Sequence, residues 1–172
     1  TFFGDSAVCI NPNDERYKHL LGKKVTLPLT NKEIPIIQDE IVDIDFGTGC
    51  LKITPAHDFN DYKIGKKHNL EFINILNKDG SMNKNVHKKY IGMNIHQIRD
   101  NLIKDLDDIG AFVEKVPYKT TVPIGERTGE TIEPLLTSQW FMNMKELANN
   151  GIEVVKDGKI SFVPEHWEKI YF

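Results

Sequence analysis

Lys52, Thr54, His57, Asp58 and Asp61 fall within the single run KITPAHDFND. It offers an ammonium, a hydroxyl, an imidazole and two carboxylates, but no activated nucleophile. If a helix begins at Asp58 and continues through DYKIGKKHN, Asp58 and Asp61 share one side of its first turn. Two readings are then open. Asp58 caps the helix while Asp61 complements its dipole, or the turn faces a cavity and the acids collect a ligand's ammonium and hydroxyl groups. The two are compatible, because a carboxylate has several acceptor sites.

Lys52 and Thr54 alternate with Ile53, so on a strand they share a face that Ile53 does not, directed to solvent or into a polar pocket. His57 beside the acids suggests a metal, but a third ligand at convincing spacing is lacking, and the expectation is no metal site. No serine lies in a nucleophile elbow, and Cys50 sits in a strand between Gly49 and Leu51. Any hydrolysis here would use water. The preceding turn, Asp45-Phe46-Gly47-Thr48-Gly49, could let backbone approach a ligand, but the spacing of a phosphate loop is missing.

The elements that must position these groups are short. Residues 5–10, 23–29, 34–37 and 50–54 are β-branched segments punctuated by Gly, Pro and Asn, and read as strands. Residues 72–76 suggest another strand running into an Asp79-Gly80 turn. Asn94 and Gln97 resemble a capping box ahead of Ile95, Ile98, Leu102, Ile103, Leu106 and Ile109, a helical spacing that Gly110 ends. A short helix is expected in MKELANN, and IEVV and ISFV flank Asp157-Gly158 as a hairpin. The fold class expected is mixed α/β: a β-rich, partly closed barrel core with peripheral helices.

At 172 residues, with 40% hydrophobic and 27% charged positions, the chain reads as one globular domain, residues 1–172. No apolar run reaches the roughly 20 residues of a membrane span. The net charge of -3 means that nucleic acid, if bound, is not held by overall attraction. Cys9 and Cys50 read as buried thiols of a protein in a reducing cytoplasm rather than as a disulfide framework. The first residues read as a strand already under way and the last stop without a cap, as expected of a piece of something longer.

Taken together, GDSAVCINPNDERYKHLLGKKVTLPL, IPIIQDEIVDIDFGTGCLKITPAHDFNDYKIGKKHNL and TIEPLLTSQWF closely resemble the editing domain inserted into the catalytic core of valyl-type class I aminoacyl-tRNA synthetases. The ITPAHD wording departs from isoleucyl and leucyl relatives. The resemblance implies the fold of those editing domains, and hydrolysis of the ester of threonine misattached to tRNA(Val). Threonine is nearly isosteric with valine, and a hydrophobic pocket rejects an added hydroxyl only weakly. A second, polar pocket reverses the preference, because valine leaves its hydrogen-bonding groups unpaired.

Carried over by position, Asp61 matches the aspartate that holds the substrate ammonium, and Asp58, Lys52 and Thr54 match pocket residues. Asp58 would read the threonine hydroxyl, while Lys52 and Thr54 would orient the hydroxyl, carbonyl or terminal adenosine. Thr1 resembles the last residue of a threonine- and arginine-bearing signature. The implied partners are the tRNA(Val) 3′ end carrying threonine and the catalytic core of the same enzyme, toward which the last residues lead. No membrane and no cofactor are implied for editing; ATP and Mg belong to the core. Gly125-Glu126-Arg127-Thr128 stands where some relatives carry a Cys-x-x-Cys pair, which removes a zinc site there. The competing readings are an isoleucyl- or leucyl-type editing domain, a catalytically silent tRNA-docking module, and small-ligand binding outside translation.

Overall fold

The computed structural model describes residues 1–171, and its contacts divide the chain into two compact units, the first Thr1–Leu136 and the second starting at Thr137. Phe172, last of the residues expected to lead toward a catalytic core, lies outside the described residues. The first unit holds a four-stranded mixed sheet, β1 (Ala7–Ile10), β2 (Lys24–Thr26), β3 (Glu33–Gln38) and β4 (Cys50–Ile53), in the order β2-β3-β1-β4. β1 pairs parallel with β3 and antiparallel with β4, and β2 pairs antiparallel with β3. In β3, Ile34 and Ile36 point inward while Glu33 and Pro35 point outward, as period-two alternation requires.

The fold is the mixed α/β arrangement expected, but the sheet is open. Among the described residues β2 and β4 are its two edges, so the barrel is at most a curved part of one.

Ala7, Cys9 and Ile53 pack with Val42 and Ile64 into one core cluster. Ile64 comes from α1 (Phe59–Lys67), which thereby lies on the strands that carry the candidate residues. Two contacts hold its C-terminal half in place. Gly65 lets the helix close on Pro55: a Cβ there would lie 2.7 Å from the proline ring. Just beyond it Lys67 Nζ and His68 Nε2 both reach Asp39 Oδ2 at 2.9 Å, and the lysine beside it holds the Asp39 carboxyl down at about 2.

A second cluster gathers Phe3, Ile75, Leu76, Met82, Val86 and Tyr90 around Ile98 of α2 (Ile95–Asp108). α2 begins with the Asn94–Gln97 capping box and ends at Gly110, as expected. Gly110 N–H bonds Asp107 O and Ala111 N–H bonds Leu106 O, the paired closure that a residue at φ +69 makes possible.

Three further expectations are corrected. Residues 72–76 form no strand; Leu76 makes a lone bridge to Met82 across the Asp79-Gly80 turn, and polar neighbours supply nothing for a longer ladder to bury. Among the described residues of the second unit the expected terminal hairpin is absent. Residues expected as its first strand continue the predicted short helix, making α3 (Lys145–Lys156), with Ile152 and Val155 on one side. Gly158 N–H bonds Val155 O and Lys159 N–H bonds Val154 O, so Asp157-Gly158 is a helix stop. Both structures need a glycine at positive φ, which is why the dipeptide alone could not separate them. The last element among the described residues is α4 (Glu168–Tyr171). Lastly, Cys9 is buried but Cys50 is exposed, because β4 is an edge strand; both are free thiols. No helix among the described residues is long and apolar enough to cross a membrane.

Candidate functional site

The site forms where β4 runs out and α1 begins. The antiparallel register pairs Ala7 with Ile53, so one step beyond the strands Ser6 N–H still bonds Ile53 O, and Asp5 comes beside Thr54. Asp58 has extended backbone, and its Oδ1 accepts the Asn60 and Asp61 N–H groups at 2.8 and 3.0 Å. That cap turns the chain so that Asp61 faces back toward the strand. Asp61 Oδ2 accepts the Thr54 N–H at 2.8 Å and lies 3.4 Å from Lys52 Nζ.

Lys52 Nζ donates to Thr54 Oγ1 at 2.8 Å. Since an ammonium can only donate, the single hydroxyl proton of Thr54 goes to its other neighbour, Asp5 Oδ1. The result is a chain, Asp61–Lys52–Thr54–Asp5, in which two carboxylates flank one ammonium. Thr54 is fully enclosed and Asp5 and Asp61 are buried, whereas half of the Lys52 side chain meets solvent. Burial pushes the Asp5 carboxyl above the ordinary aspartate value, with the Thr54 bond and Lys52 acting against it.

Lys52, Thr54 and Asp61 are thus brought together. Asp58 stands at the neighbouring cap, exposed, with Oδ2 taking no bond from the described residues. It borders an apolar cleft of about 230 Å³ lined by Pro55, Phe59, Tyr62, Pro134 and Leu135. Thr1 lines a different cavity of about 220 Å³, with Ile75, Ile98, Arg99 and Glu133.

The remaining suggestive residues are accounted for by structure. His57 is buried, with Nε2 accepting the Ile75 N–H at 3.0 Å, so its Nδ1–H donates to Pro134 O at 3.2 Å. Both nitrogens are engaged by backbone, and burial lowers the pKa below its ordinary value, favouring the neutral ring that this pattern needs. Among the described residues no group of three or more His, Cys, Asp or Glu is placed to hold a metal.

The glycine-rich turn is approached by side chains of the protein itself. Arg16 bonds Asp14 through Nε at 2.9 Å and Nη2 at 2.7 Å, and Nη2 also reaches Ile44 O at 2.9 Å. Tyr17 donates to Thr48 O at 2.7 Å. Gly49, at φ +74, has no room for a Cβ, which would meet Arg16 Nη2 at 2.5 Å. The Asn-Pro-Asn-Asp-Glu-Arg-Tyr segment is therefore a brace for the loop that delivers β4.

Residues 11–96 match the family model described as leucyl-tRNA synthetase, editing domain, which is half of the chain. The chain belongs to this family of synthetase editing domains. Over its whole length it is similar to valine–tRNA ligases: 50% identical over 172 residues to that of Francisella tularensis, 52% to that of Legionella pneumophila strain Paris, and 51% to that of Clostridium tetani. In each case it covers 100% of this chain and 19% of the relative, so this editing domain spans about a fifth of the length of those proteins.

Sequence reasoning missed Asp5 in this editing domain. The only signal available was a carboxylate at the head of an apolar strand, and its distance of 49 positions from Thr54 hides the contact.

Proposed function

We propose that the chain is the editing domain of a valyl-tRNA synthetase and that it hydrolyses the ester of threonyl-tRNA(Val). The observation that carries this reading is the linked Lys52, Thr54 and Asp61 cluster with Asp58 beside it, in a chain whose whole-length relatives are valine–tRNA ligases. Asp61 Oδ1 takes no bond from the described residues, and there it would anchor the substrate ammonium. The unused Oδ2 of Asp58 would accept the threonine hydroxyl. Lys52 has an N–H left over after Thr54 and Asp61, and it would polarise the ester carbonyl while a positioned water attacks. Thr54 serves by holding Lys52, since its own hydroxyl is committed. Thr1 would border the bound terminal adenosine.

The partners in this reading are the tRNA(Val) 3′ end carrying threonine and the catalytic core of the same enzyme, and the location is the cytoplasm, where the free thiols stay reduced. The test presents threonyl-tRNA(Val), valyl-tRNA(Ile) and misacylated leucine tRNAs and measures release of the amino acid. Preferential release of threonine is expected. Preference for valyl-tRNA(Ile), or for a leucine tRNA as the name of the family model would suggest, overturns the substrate assignment, and no release from any of them favours a docking role.

A further inference from the structure

Asp5 is the least expected charge in the molecule. It is 4% exposed, and among the described residues no lysine or arginine lies within ion-pair distance of its carboxylate; Lys32 Nζ bonds its backbone oxygen instead, at 2.8 Å. A carboxylate taken out of water without a paired cation is destabilising unless other groups compensate. Among the described residues its side chain accepts a hydrogen bond from the Thr54 hydroxyl. That hydroxyl is also the acceptor for Lys52. A Thr54 without Asp5 would have a buried proton with no acceptor and would be free to turn its oxygen away from Lys52.

We infer that Asp5 is a positioning residue for ester hydrolysis: acting through the Thr54 hydroxyl, it fixes the direction in which Lys52 presents its remaining N–H to the substrate carbonyl. It does not touch the substrate. The inference rests on the hydrolytic reading above and adds to it a residue from the opposite strand, together with a role for Thr54 as relay rather than reader. The oxygen of an asparagine would serve Thr54 as well as that of the aspartate, so position and not charge is what Asp5 supplies.

The test measures kcat and KM for release of threonine from threonyl-tRNA(Val), with melting temperatures run alongside. Asp5→Ala should lower kcat by about 10- to 100-fold with KM changed less than about threefold, the pattern of an interaction realised in the transition state. Asp5→Asn should stay within about threefold of wild type. Thr54→Val should match Asp5→Ala, and the double variant should be no worse than the poorer single, because one relay can be broken only once. Should Asp5→Ala not fold, Thr54→Val and Asp5→Asn carry the comparison. An Asp5→Asn variant as slow as Asp5→Ala, multiplicative losses in the double variant, or a loss confined to KM each overturns the inference.

A readout independent of activity is the 15N-detected ammonium resonance of Lys52, assigned by its disappearance in Lys52→Met. It should be sharp in wild type and Asp5→Asn and broadened in Asp5→Ala; an unchanged line in Asp5→Ala overturns the positioning role. Failure of the wild type to release threonine, with the resonance behaving as expected, would sink the hydrolytic reading and leave the relay intact.

Discussion

Asp14 and Asp5 are both buried, lie nine positions apart and flank the same strand, yet their surroundings are opposite. Asp14 is met by Arg16, whose guanidinium holds the carboxyl below the usual aspartate range, and the pair braces the loop closed by Gly49. Asp5 is met by a hydroxyl, and burial raises its carboxyl above that range. The first is an electrostatic unit complete in itself. The second leaves two carboxylates around one ammonium, with a lysine N–H and a carboxylate oxygen still to be satisfied. A buried acid matched by its own cation is accounted for by the fold, whereas an unmatched one is a candidate for a functional role.

Five substitutions can break or sharpen that contrast. The largest effect is expected from Asp61→Ala, which should cut release of threonine from threonyl-tRNA(Val) by roughly 10²-fold through lost anchoring of the ammonium. Unchanged hydrolysis with weaker tRNA binding would move the cluster into the same structural class as the brace.

Next comes Gly49→Ala, which should leave the chemistry of the cluster alone but destabilise the fold by about 1–3 kcal/mol, from the left-handed backbone and the clash with Arg16. Chemical denaturation measures it, and a neutral result would mean that the brace yields easily.

Arg16→Ala should lower the melting temperature at neutral pH. The Asp14 pKa is depressed in the fold, so its contribution is present above the unfolded value of about 3.8 and is lost as pH falls through the folded one. Melting curves of variant and wild type should converge in acid, and a gap that persists there would point to lost packing of the Arg16 stem.

The smallest effect is a gain. Asp5 has a raised pKa, so what it contributes is present below about 3.8 and is lost as pH rises through its folded value. Asp5→Asn should then melt higher than wild type at pH 7, with the advantage fading in acid. Lys52 and Asp61 act on Asp5 with opposite signs, and the same melts of Lys52→Met should show the cost of Asp5 increased. Loss of stability in Asp5→Asn at pH 7 would place Asp5 with Asp14 as a structural acid.

Much of this was legible from local chemistry. The four strands, the Asp58 cap, the capping box of α2 and the stop at Gly110 depend on neighbours within a few residues, and such interactions leave their signature in spacing. The terminal hairpin failed for the complementary reason. Asp-Gly suits both a helix stop and a hairpin turn, and the bonds from Gly158 and Lys159 N–H back to Val155 and Val154 O are those of the former.

By itself the sequence determined the four paired strands, the first two helices and the single run that carries Lys52, Thr54, Asp58 and Asp61, because side chains on one strand and one helical turn share a face by geometry. Only the tertiary structure decided what those groups can do. It committed the Thr54 hydroxyl to Asp5, both nitrogens of His57 to backbone, and Arg16 to the glycine loop. Those choices depend on partners 18 to 77 positions away. Which polar groups remain unsatisfied is a property of the whole hydrogen-bond network, and it is fixed only when the strands have met.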